Sequence, residues 1–326
     1  MGLFSDRNAD VLTMGRIGAD IYPLEHGIGL EDVASFGKFL GGSPTNVAVA
    51  AARLRRSAAV VSAVGDDPFG RFCRNELVRL GVFDDYVKVL PGFSTPVTFC
   101  EIFPPDSFPL YFYRTQAPDL ELGSDDLPLQ EIEEARVFWI TVTGLCREPS
   151  RGAHIAALQG RARRRHTIID LDYREQFWDS PEAARAAIDE VMPMVDIAVG
   201  NAAECDVAFG ETDPEKSALA MLERGVKLAV VKRGPDGVLA MTAEEVFEVE
   251  GTPIEVVNGL GAGDAFGGAL CHGLLKEWPM LDVLVAASAA GALVATRLEC
   301  STAMPSEPEL LAAVRRNPVK TTRRRR

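Results

Sequence analysis

A glycine-rich turn that ends in an aspartate lies in the C-terminal third of the chain, over residues 257–266. Gly261, Ala262 and Gly263 carry almost no side chain, and a helical pattern follows, so backbone N–H groups at a helix N-terminus are accessible to an anion. Asp264 comes next and can take a proton from an attacking hydroxyl group. Amides that stabilise charge beside a carboxylate base fit phosphoryl transfer. An ordinary helix start with an acidic first turn fits as well, so this motif alone leaves two interpretations.

A second glycine cluster, Gly41 and Gly42, precedes another helical pattern. Two glycines let a ligand touch the backbone, and Asn46 on the first turns of that helix can both donate to and accept from hydroxyl groups. Asp20, just after the first strand pattern, is a further hydroxyl acceptor. These residues suit a polyol, although a tight turn before a capped helix explains the two glycines without any ligand.

A third polar group, Asp172 with Arg174, follows a strand pattern that ends near residue 171. Arg174 can hold a carbonyl or a phosphate group, and Asp172 can position that guanidinium. A plain surface salt bridge between the two is the alternative.

The elements that must position these residues alternate between strand and helix from residue 10 onward. This βαβ rhythm predicts an α/β fold with a largely parallel sheet, helices on both faces and ligands at the carboxyl ends of the strands. The predicted strands are 11–14, 58–64, 137–143, 167–171, 197–199 and 228–232. The predicted helices are 44–54, 69–80, 150–163, 180–191, 214–224, 262–276, 281–297 and 308–315.

Two segments interrupt the rhythm, at about residues 16–40 and 94–116, where β-type, aromatic and proline-rich stretches contain no convincing helix. A few such strands cannot bury a core of their own, so we expect them to form a lid over the site. Their exposed edges allow a homodimer through the lid. Since no internal repeat or low-complexity linker interrupts the chain, a single domain over residues 10–316 is expected.

Composition limits the classes of partner. The formal net charge of −13 argues against nucleic acid and anionic membranes, which select for basic surfaces. The exception is a basic tail at residues 317–326, which we expect to be disordered. Six scattered cysteines without a C-x-x-C pair indicate reduced thiols, and no apolar signal core opens the chain. A cytoplasmic enzyme is therefore expected.

Taken together, five short motifs resemble those of the ribokinase-like (PfkB) sugar kinases, in the same order and over residues 10–315. Their joint occurrence is far more specific than any one of them. The motifs are Gly41-Gly42 with Asn46, residues 64–70, Asn201 with Glu204, residues 232–237, and residues 261–264. The resemblance implies a doubly wound, mainly parallel central sheet flanked by helices, with a small β-strand lid.

The resemblance also implies a reaction, in which ATP phosphorylates the primary hydroxyl of a sugar. Asp264 matches the family's catalytic base, and residues 261–263 match its anion hole. The sugar is then expected to contact, under the lid, Asp20, Gly41, Gly42, Asn46, Arg114, Asp172 and Arg174. Mg²⁺ and the ATP phosphates are expected near Asn201 and Glu204, with Glu204 acting on the metal through water.

The nucleotide residues have structural alternatives. Lys232, Gly234 and Gly237 match a strand and turn that line the family's ATP site, yet the glycines also fit an ordinary tight turn. Asn201 and Glu204 also fit an N-cap with its first-turn carboxylate.

One departure from the family concerns the residues just before the catalytic turn. Relatives usually have Asp-Thr where this chain has Asn258-Gly259. The acidic member of that pair contributes to a monovalent-cation site in many relatives. Dependence on K⁺ is therefore open here.

Several strings resemble the 5-dehydro-2-deoxygluconokinases, a group of this family in inositol catabolism. They lie at residues 41–46, 113–120, 170–178 and 303–305. An acid sugar carries a carboxylate and a keto group, which Arg114 and Arg174 suit. Kinases of 2-keto-3-deoxygluconate or fructose in the same family are the alternatives. A sugar-binding regulator that has lost catalysis is the alternative of another class.

Overall fold

The computed structural model describes residues 9–164 and 166–326, which contain fifteen strands and ten α-helices. The strands are β1 (Val11–Met14), β2 (Gly18–Pro23), β3 (Phe36–Gly41), β4 (Ala58–Gly65), β5 (Val82–Phe83), β6 (Val87–Leu90), β7 (Val97–Cys100), β8 (Leu110–Tyr113), β9 (Val137–Thr141), β10 (His166–Asp170), β11 (Ile197–Asn201), β12 (Leu228–Lys232), β13 (Val238–Met241), β14 (Glu245–Val249) and β15 (Thr321–Arg325). The helices are α1 (Ser43–Arg53), α2 (Pro68–Arg79), α3 (Leu129–Glu134), α4 (Ser150–Arg161), α5 (Pro181–Val191), α6 (Ala202–Phe209), α7 (Pro214–Glu223), α8 (Ala262–Leu275), α9 (Met280–Ala295) and α10 (Glu307–Arg316). Residues 1–8, where the sequence shows no apolar signal core, lie outside the described residues.

The main sheet contains eleven strands, in the order β15-β14-β13-β12-β11-β10-β9-β1-β4-β5, with β6 also paired to β4. Neighbours from β12 to β5 are parallel, and so are β4 and β6. The pairs β12–β13, β13–β14 and β14–β15 are antiparallel. The predicted α/β fold with a mainly parallel central sheet is confirmed. Its parallel strands all end at one edge, where ligands bind in folds of this type.

Both faces of the main sheet are covered by helices. Val11 and Trp139 belong to an apolar cluster with α1, α8, α9 and α10, whereas Leu12 and Phe138 belong to a cluster with α4 to α7. The alternation follows from the period of two along a strand. Because both faces are buried, the strands read as nearly continuous apolar runs, which is typical of parallel sheets.

Glycines let α8 lie close to its neighbours. A Cβ at Gly268 would lie 2.3 Å from the Ala50 Cβ on α1, and a Cβ at Gly267 would lie 2.7 Å from the Trp139 ring. Larger side chains would push α8 away from α1 and from the sheet. These two glycines therefore fix the distance between the helices that begin at the two glycine-rich turns.

A second sheet of four strands, in the order β3-β2-β7-β8, is formed by the two segments that interrupt the βαβ rhythm. The pair β2–β7 is parallel, and the other two pairs are antiparallel. The prediction of strands outside the main sheet at about 16–40 and 94–116 is therefore confirmed. Asp20, Thr98 and Phe112 share one face of this sheet, which is turned toward the main sheet's ligand edge.

The chain end differs from the expectation. Residues 317–326 were expected to be disordered, but Thr321–Arg325 forms β15 and pairs with the edge strand β14. The Arg323 Nε lies 2.7 Å from a carboxylate oxygen of Glu245. Opposite charges across adjacent strands stabilise such pairing, and this contact is visible only once the sheet order is known.

No helix in residues 9–164 or 166–326 is long and apolar enough to cross a membrane. All six cysteines are free thiols, and five of them are buried.

Candidate active site

A cavity lies between the second sheet, the N-terminal ends of α1 and α8, and the loop after β10. Six of the sequence-predicted residues line it, together with the unpredicted Arg16, Tyr22 and Cys300. The predicted residues in its wall are Asp20, Gly42, Asn46, Arg174, Gly261 and Asp264. Residues from distant parts of the chain therefore meet at one site.

Asp264 lies on the first turn of α8 and is held by two donors from α1. The Ser43 hydroxyl donates to its Oδ1 at 2.8 Å, and the Asn46 amide donates to its Oδ2 at 2.8 Å. Burial raises the pKa of Asp264, and the nearby Asp172 carboxylate raises it further, while the two hydrogen bonds oppose this shift. A fixed carboxylate with a raised pKa is suited to accept a proton from a hydroxyl group.

Backbone geometry explains why α1 can reach this site. Gly42 has a φ of +103°, and a Cβ there would lie 2.3 Å from the Arg16 carbonyl oxygen. Only glycine fits this close approach. The Thr45 hydroxyl donates to the same carbonyl at 2.9 Å. The first turn of α1 is thus fixed to the chain segment after β1, and Ser43 and Asn46 face Asp264.

The glycine turn before Asp264 is tightly packed. Gly261 has a φ of +81°, and a Cβ there would lie 2.8 Å from the Cys300 sulfur. The Ala262 N–H donates to the Gly259 carbonyl at 3.4 Å, and the first α-helical bond runs from the Ala265 N–H to Gly261. Within the described residues, the N–H groups of Gly261, Gly263 and Asp264 have no backbone acceptor. They are open to an anion at the start of α8, and the role of residues 261–263 as an anion hole stays a prediction.

Two arginines flank a buried carboxylate beside the cavity. The Arg16 guanidinium lies 2.9 Å from one oxygen of Asp172, and the Arg174 guanidinium lies 2.7 Å from the other. Burial alone would raise the pKa of Asp172, but Arg174 and Arg16 outweigh it and hold that pKa below its ordinary value. Asp172 itself does not line the cavity, so it positions the two guanidinium groups. Sequence reasoning missed Arg16, because a single arginine after a strand belongs to no motif.

Aromatic rings hold Arg16 in place. Its guanidinium carbon lies 5.7 Å from the centre of the Phe112 ring and 5.8 Å from that of Phe177. Arg114 stacks on the same Phe177 ring at 4.7 Å and pairs with buried Asp119 at 2.9 Å. Arg114 is not among the residues that line the cavity, so its expected contact with the sugar stays a prediction.

Asp20 faces the cavity from the second sheet. The Tyr22 hydroxyl donates to its Oδ2 at 3.0 Å and lies 2.8 Å from the Cys300 sulfur. Burial raises the pKa of Asp20 to about 7, although the Tyr22 hydrogen bond and Arg16 oppose the rise. A Cβ at Gly41 would lie 2.1 Å from an Asp20 oxygen, so Gly41 provides room for this side chain and does not line the cavity.

The predicted nucleotide residues Asn201 and Glu204 form a capping box at the start of α6. The Asn201 side chain accepts from the Glu204 N–H at 2.9 Å, and the Glu204 carboxylate accepts from the Asn201 N–H at 2.7 Å. The structural alternative is therefore present. Their roles toward nucleotide and metal stay predictions.

Lys232 connects this region to the glycine turn. Its Nζ lies 3.4 Å from an oxygen of Asp170, and 3.4 Å from where a Gly263 Cβ would be. Burial would lower the pKa of Lys232, but Asp170 and Glu204 raise it above its ordinary value, so the amine is charged. A charged amine this close to Gly263 suits a phosphate group.

Asp170 was not predicted as a site residue, although it ends a buried strand at the ligand edge. Burial raises its pKa to about 7; Lys232 opposes this shift, and Glu204 adds to it. No group of three or more His, Cys, Asp and Glu side chains in the described ranges could hold a metal ion. Mg²⁺ needs only one or two protein carboxylates when phosphates and water supply the rest. The buried pair Asp170 and Glu204 fits that requirement.

Gly234 and Gly237 form a tight turn after β12, with φ values of +58° and +93°. A Cβ at Gly237 would lie 2.0 Å from the Val249 carbonyl oxygen. This turn packs against the chain after β14 and sets where β12 ends. Contact of the two glycines with a nucleotide stays a prediction.

Residues 8–307 match the model of the family described as "pfkB family carbohydrate kinase". The chain belongs to this family. This pfkB kinase is 32% identical to 5-dehydro-2-deoxygluconokinase of Clostridium perfringens over 308 residues, which cover 92% of the chain and 91% of that relative.

Solved structures agree. A candidate ribokinase II from E. coli, in complex with ATP and Mg²⁺, has a TM-score of 0.87 at 27% identity and covers 95% of this chain and 100% of its own. A fructokinase double mutant from Vibrio cholerae, with fructose, ADP and a potassium ion, has a TM-score of 0.81 at 26% identity, with coverage of 95% and 99%. The pfkB chain is thus an ATP-dependent sugar kinase with the ribokinase-like fold.

Proposed function

We propose that this kinase phosphorylates the primary hydroxyl of an acid sugar, with 5-dehydro-2-deoxygluconate as the first candidate. The observation that carries this proposal is the pair of guanidinium groups, Arg16 and Arg174, in the wall of the cavity that contains Asp264. The base and the two cations share one cavity. The name of the Clostridium perfringens relative supports the same substrate class.

Unused guanidinium donors favour a substrate that brings acceptor oxygens. Two guanidinium groups share the single carboxylate of Asp172, and both line the cavity. The Nε atoms of Arg16 and Arg174 are buried and lack a partner within the described residues. A buried donor without an acceptor is costly, and a ligand carboxylate or keto oxygen supplies one. A neutral sugar offers no carboxylate to these donors.

The proposed mechanism is a direct in-line transfer. Asp264, held by Ser43 and Asn46, takes the proton of the sugar hydroxyl as that oxygen attacks the γ-phosphate of ATP, the bond from the γ-phosphorus to the bridging oxygen breaks, and ADP leaves. The N–H groups of Gly263 and Asp264 and the Lys232 amine stabilise the transferring group. Asp20 accepts a hydrogen bond from another sugar hydroxyl. No covalent phosphoenzyme is needed.

Mg²⁺ fits the carboxylates of Asp170 and Glu204, directly or through water, and when bound it neutralises charge on the ATP phosphates. The role of these residues is to hold the metal beside Lys232. Their capping and pairing contacts fix both carboxylates at the ligand edge of the sheet.

The nucleobase is expected to occupy an apolar groove, part of whose wall comes from Thr252, Ile254, Ala289 and Leu293. Two of these residues lie on α9, beside Gly291. A Cβ at Gly291 would lie 2.9 Å from the Ala262 carbonyl oxygen, so this part of α9 touches the start of α8. The groove is therefore close enough to the glycine turn for one nucleotide to occupy both.

The competing substrate is 2-keto-3-deoxygluconate, because it offers the same carboxylate and keto group to Arg16 and Arg174. Fructose is a third candidate, from the Vibrio cholerae neighbour. An inactive sugar-binding regulator is disfavoured, since Asp264, its two donors and the glycine turn are all intact.

The test is a coupled assay of ADP release with ATP, Mg²⁺ and each of the three sugars. We expect the highest kcat/KM with 5-dehydro-2-deoxygluconate, and no sugar-dependent ADP release by Asp264→Asn above its background. A preference for fructose would contradict the acid-sugar assignment. Absence of ADP release with every sugar would instead favour the binding protein.

Two further features belong to the proposal. A homodimer through the second sheet is supported by its outer face, where Phe36, Phe99 and Tyr113 form a row of edge-on aromatic contacts. Exposed apolar faces are common sites of protein–protein contact.

A cytoplasmic location is supported by six free thiols, which suit a reducing compartment.

A further inference from the structure

Asn258 is fully buried just before the catalytic turn, and both ends of its side-chain amide are used. Its Nδ2 donates to the Leu298 carbonyl at 2.7 Å, and its Oδ1 accepts from the Leu260 N–H at 3.0 Å. The side chain therefore joins two backbone segments that lie far apart in the sequence. An amide is required for this, since one contact needs a donor and the other an acceptor.

The two joined segments both touch the catalytic turn. Leu260 precedes Gly261, and Cys300, two residues after Leu298, packs against the α-carbon of Gly261. Leu260, Gly261 and Cys300 all line the cavity. The Asn258 amide thus fixes the position of the turn whose N–H groups, under the proposed function, bind phosphate, and it is a positioning residue.

A monovalent cation does not fit between these segments. Potassium sites in proteins are built from carbonyl oxygens that replace the ion's water shell. Here the Leu298 carbonyl already accepts from Asn258, and the Ala295 carbonyl accepts from the Val257 N–H at 2.8 Å and the Asn258 N–H at 3.2 Å. Position 258 also carries no negative charge, unlike the aspartate usual in the family.

We propose that the Asn258 amide holds the catalytic turn in the place of a monovalent cation, so that this kinase needs no such ion. The Nδ2 donor supplies positive charge to the buried Leu298 carbonyl oxygen, as a bound cation would. Asn258→Asp removes this donor and places a carboxylate next to the carbonyl. That variant creates a need for a cation.

The experiment compares wild type, Asn258→Asp and Asn258→Ala in K⁺ and in tetramethylammonium at equal ionic strength. We expect the wild-type kcat and melting temperature to be the same in both salts. In tetramethylammonium, both variants should lose about tenfold to a hundredfold in kcat, since a buried carbonyl loses its donor. K⁺ should restore part of the kcat of Asn258→Asp, and raise its melting temperature, but should not rescue Asn258→Ala.

Exposed Asn75 on α2 provides the matched control, because Asn75→Asp adds the same charge far from the turn and should respond equally to both salts. A wild-type enzyme that K⁺ activates several-fold or stabilises would overturn the proposal. So would an Asn258→Asp enzyme that responds to K⁺ no more than Asn75→Asp does. The melting curves need no substrate, so a wrong sugar assignment leaves this arm of the test intact.

Discussion

The Asn46 amide donates to the Asp264 carboxylate at 2.8 Å, and this bond joins the first turns of two helices whose residues are 218 positions apart. Ser43 supplies the second donor from the same turn of α1. Both glycine-rich turns of the sequence therefore act on one carboxylate. The turn at 41–42 brings the donors, and the turn at 261–263 places the acceptor.

Asp264→Asn tests whether this carboxylate is the base. We expect kcat to fall by roughly 10²–10⁴-fold, the usual contribution of a general base, because an amide cannot take the hydroxyl proton. Affinity for ATP should be unchanged, since the N–H groups of residues 263 and 264 are kept. Steady-state kinetics and nucleotide titration measure the two effects. A variant with near-normal kcat would exclude Asp264 as the base.

Asn46→Ala separates orientation of the base from its chemistry. Removing one donor leaves the carboxylate in place but allows it to rotate, so we expect a smaller loss of kcat than in Asp264→Asn. In the native enzyme, the Asn46 hydrogen bond lowers the pKa of Asp264. Its loss should raise that pKa, so the acid limb of the kcat profile should move to higher pH. A pH profile of kcat checks this. An unshifted limb would mean that Asn46 serves only the sugar.

Much of the fold and part of the site followed from the sequence. The strands that were expected are parallel neighbours in one sheet, since continuous apolar runs of strand length leave little choice. Asp264, Asn46, Gly42, Asp20 and Arg174 meet in one cavity, as their positions after strands and turns indicated. Local pattern was enough for four of them, because each lies at or just beyond the end of an element at the ligand edge, whereas Asp20 lies inside β2 of the second sheet.

Other features depend on contacts that sequence does not encode locally. Arg16 becomes a site residue only through Asp172 and two phenylalanine rings from separate segments. Arg114 has the same chemistry, yet a nearby aspartate occupies it. The arginine-rich end pairs with β14 because acidic residues lie opposite, which requires knowing the sheet edge. For Arg16 and for the chain end, partners from distant positions decide the outcome, whereas Arg114 pairs with an aspartate only five residues away.

The pH dependence of substrate binding should report on Asp20, whose pKa is raised to about 7. A carboxylate must be ionised to accept from a sugar hydroxyl, so kcat/KM should decline as pH falls through about 7. Tyr22→Phe removes a donor that lowers this pKa, and the limb should then move to higher pH. Profiles of both enzymes measure the shift. A limb that stays in place or moves down would contradict this role for Tyr22.

If the protein dimerises through the outer face of the second sheet, a single charged side chain on that face should disrupt the dimer. Tyr113 is 69% exposed and lies in the row of aromatic rings on that face. We expect light scattering at several concentrations to give a dimer for the wild type and a monomer for Tyr113→Arg, because a buried unpaired charge is costly. Val78→Arg is the control, since Val78 is an exposed apolar residue on α2. Equal disruption by both changes would argue against this face.

We expect lysine substitutions at Arg16 and Arg114 to have different effects, although both side chains contact the Phe177 ring. Arg16 lines the cavity, so Arg16→Lys should raise KM for the acid sugar by about tenfold or more, as its planar, bidentate contact is lost, and leave KM for ATP unchanged. Arg114→Lys should instead lower the melting temperature, because it weakens a buried pair with Asp119. Kinetics and melting curves of both variants provide the comparison. Arg174→Lys is a second change to the pair of guanidinium groups that share Asp172. If Arg114→Lys alone raised KM for the sugar, the carboxylate would bind from the second sheet, and Arg16 would serve only to hold Asp172. If neither Arg16→Lys nor Arg174→Lys raised it, the substrate would not be an acid.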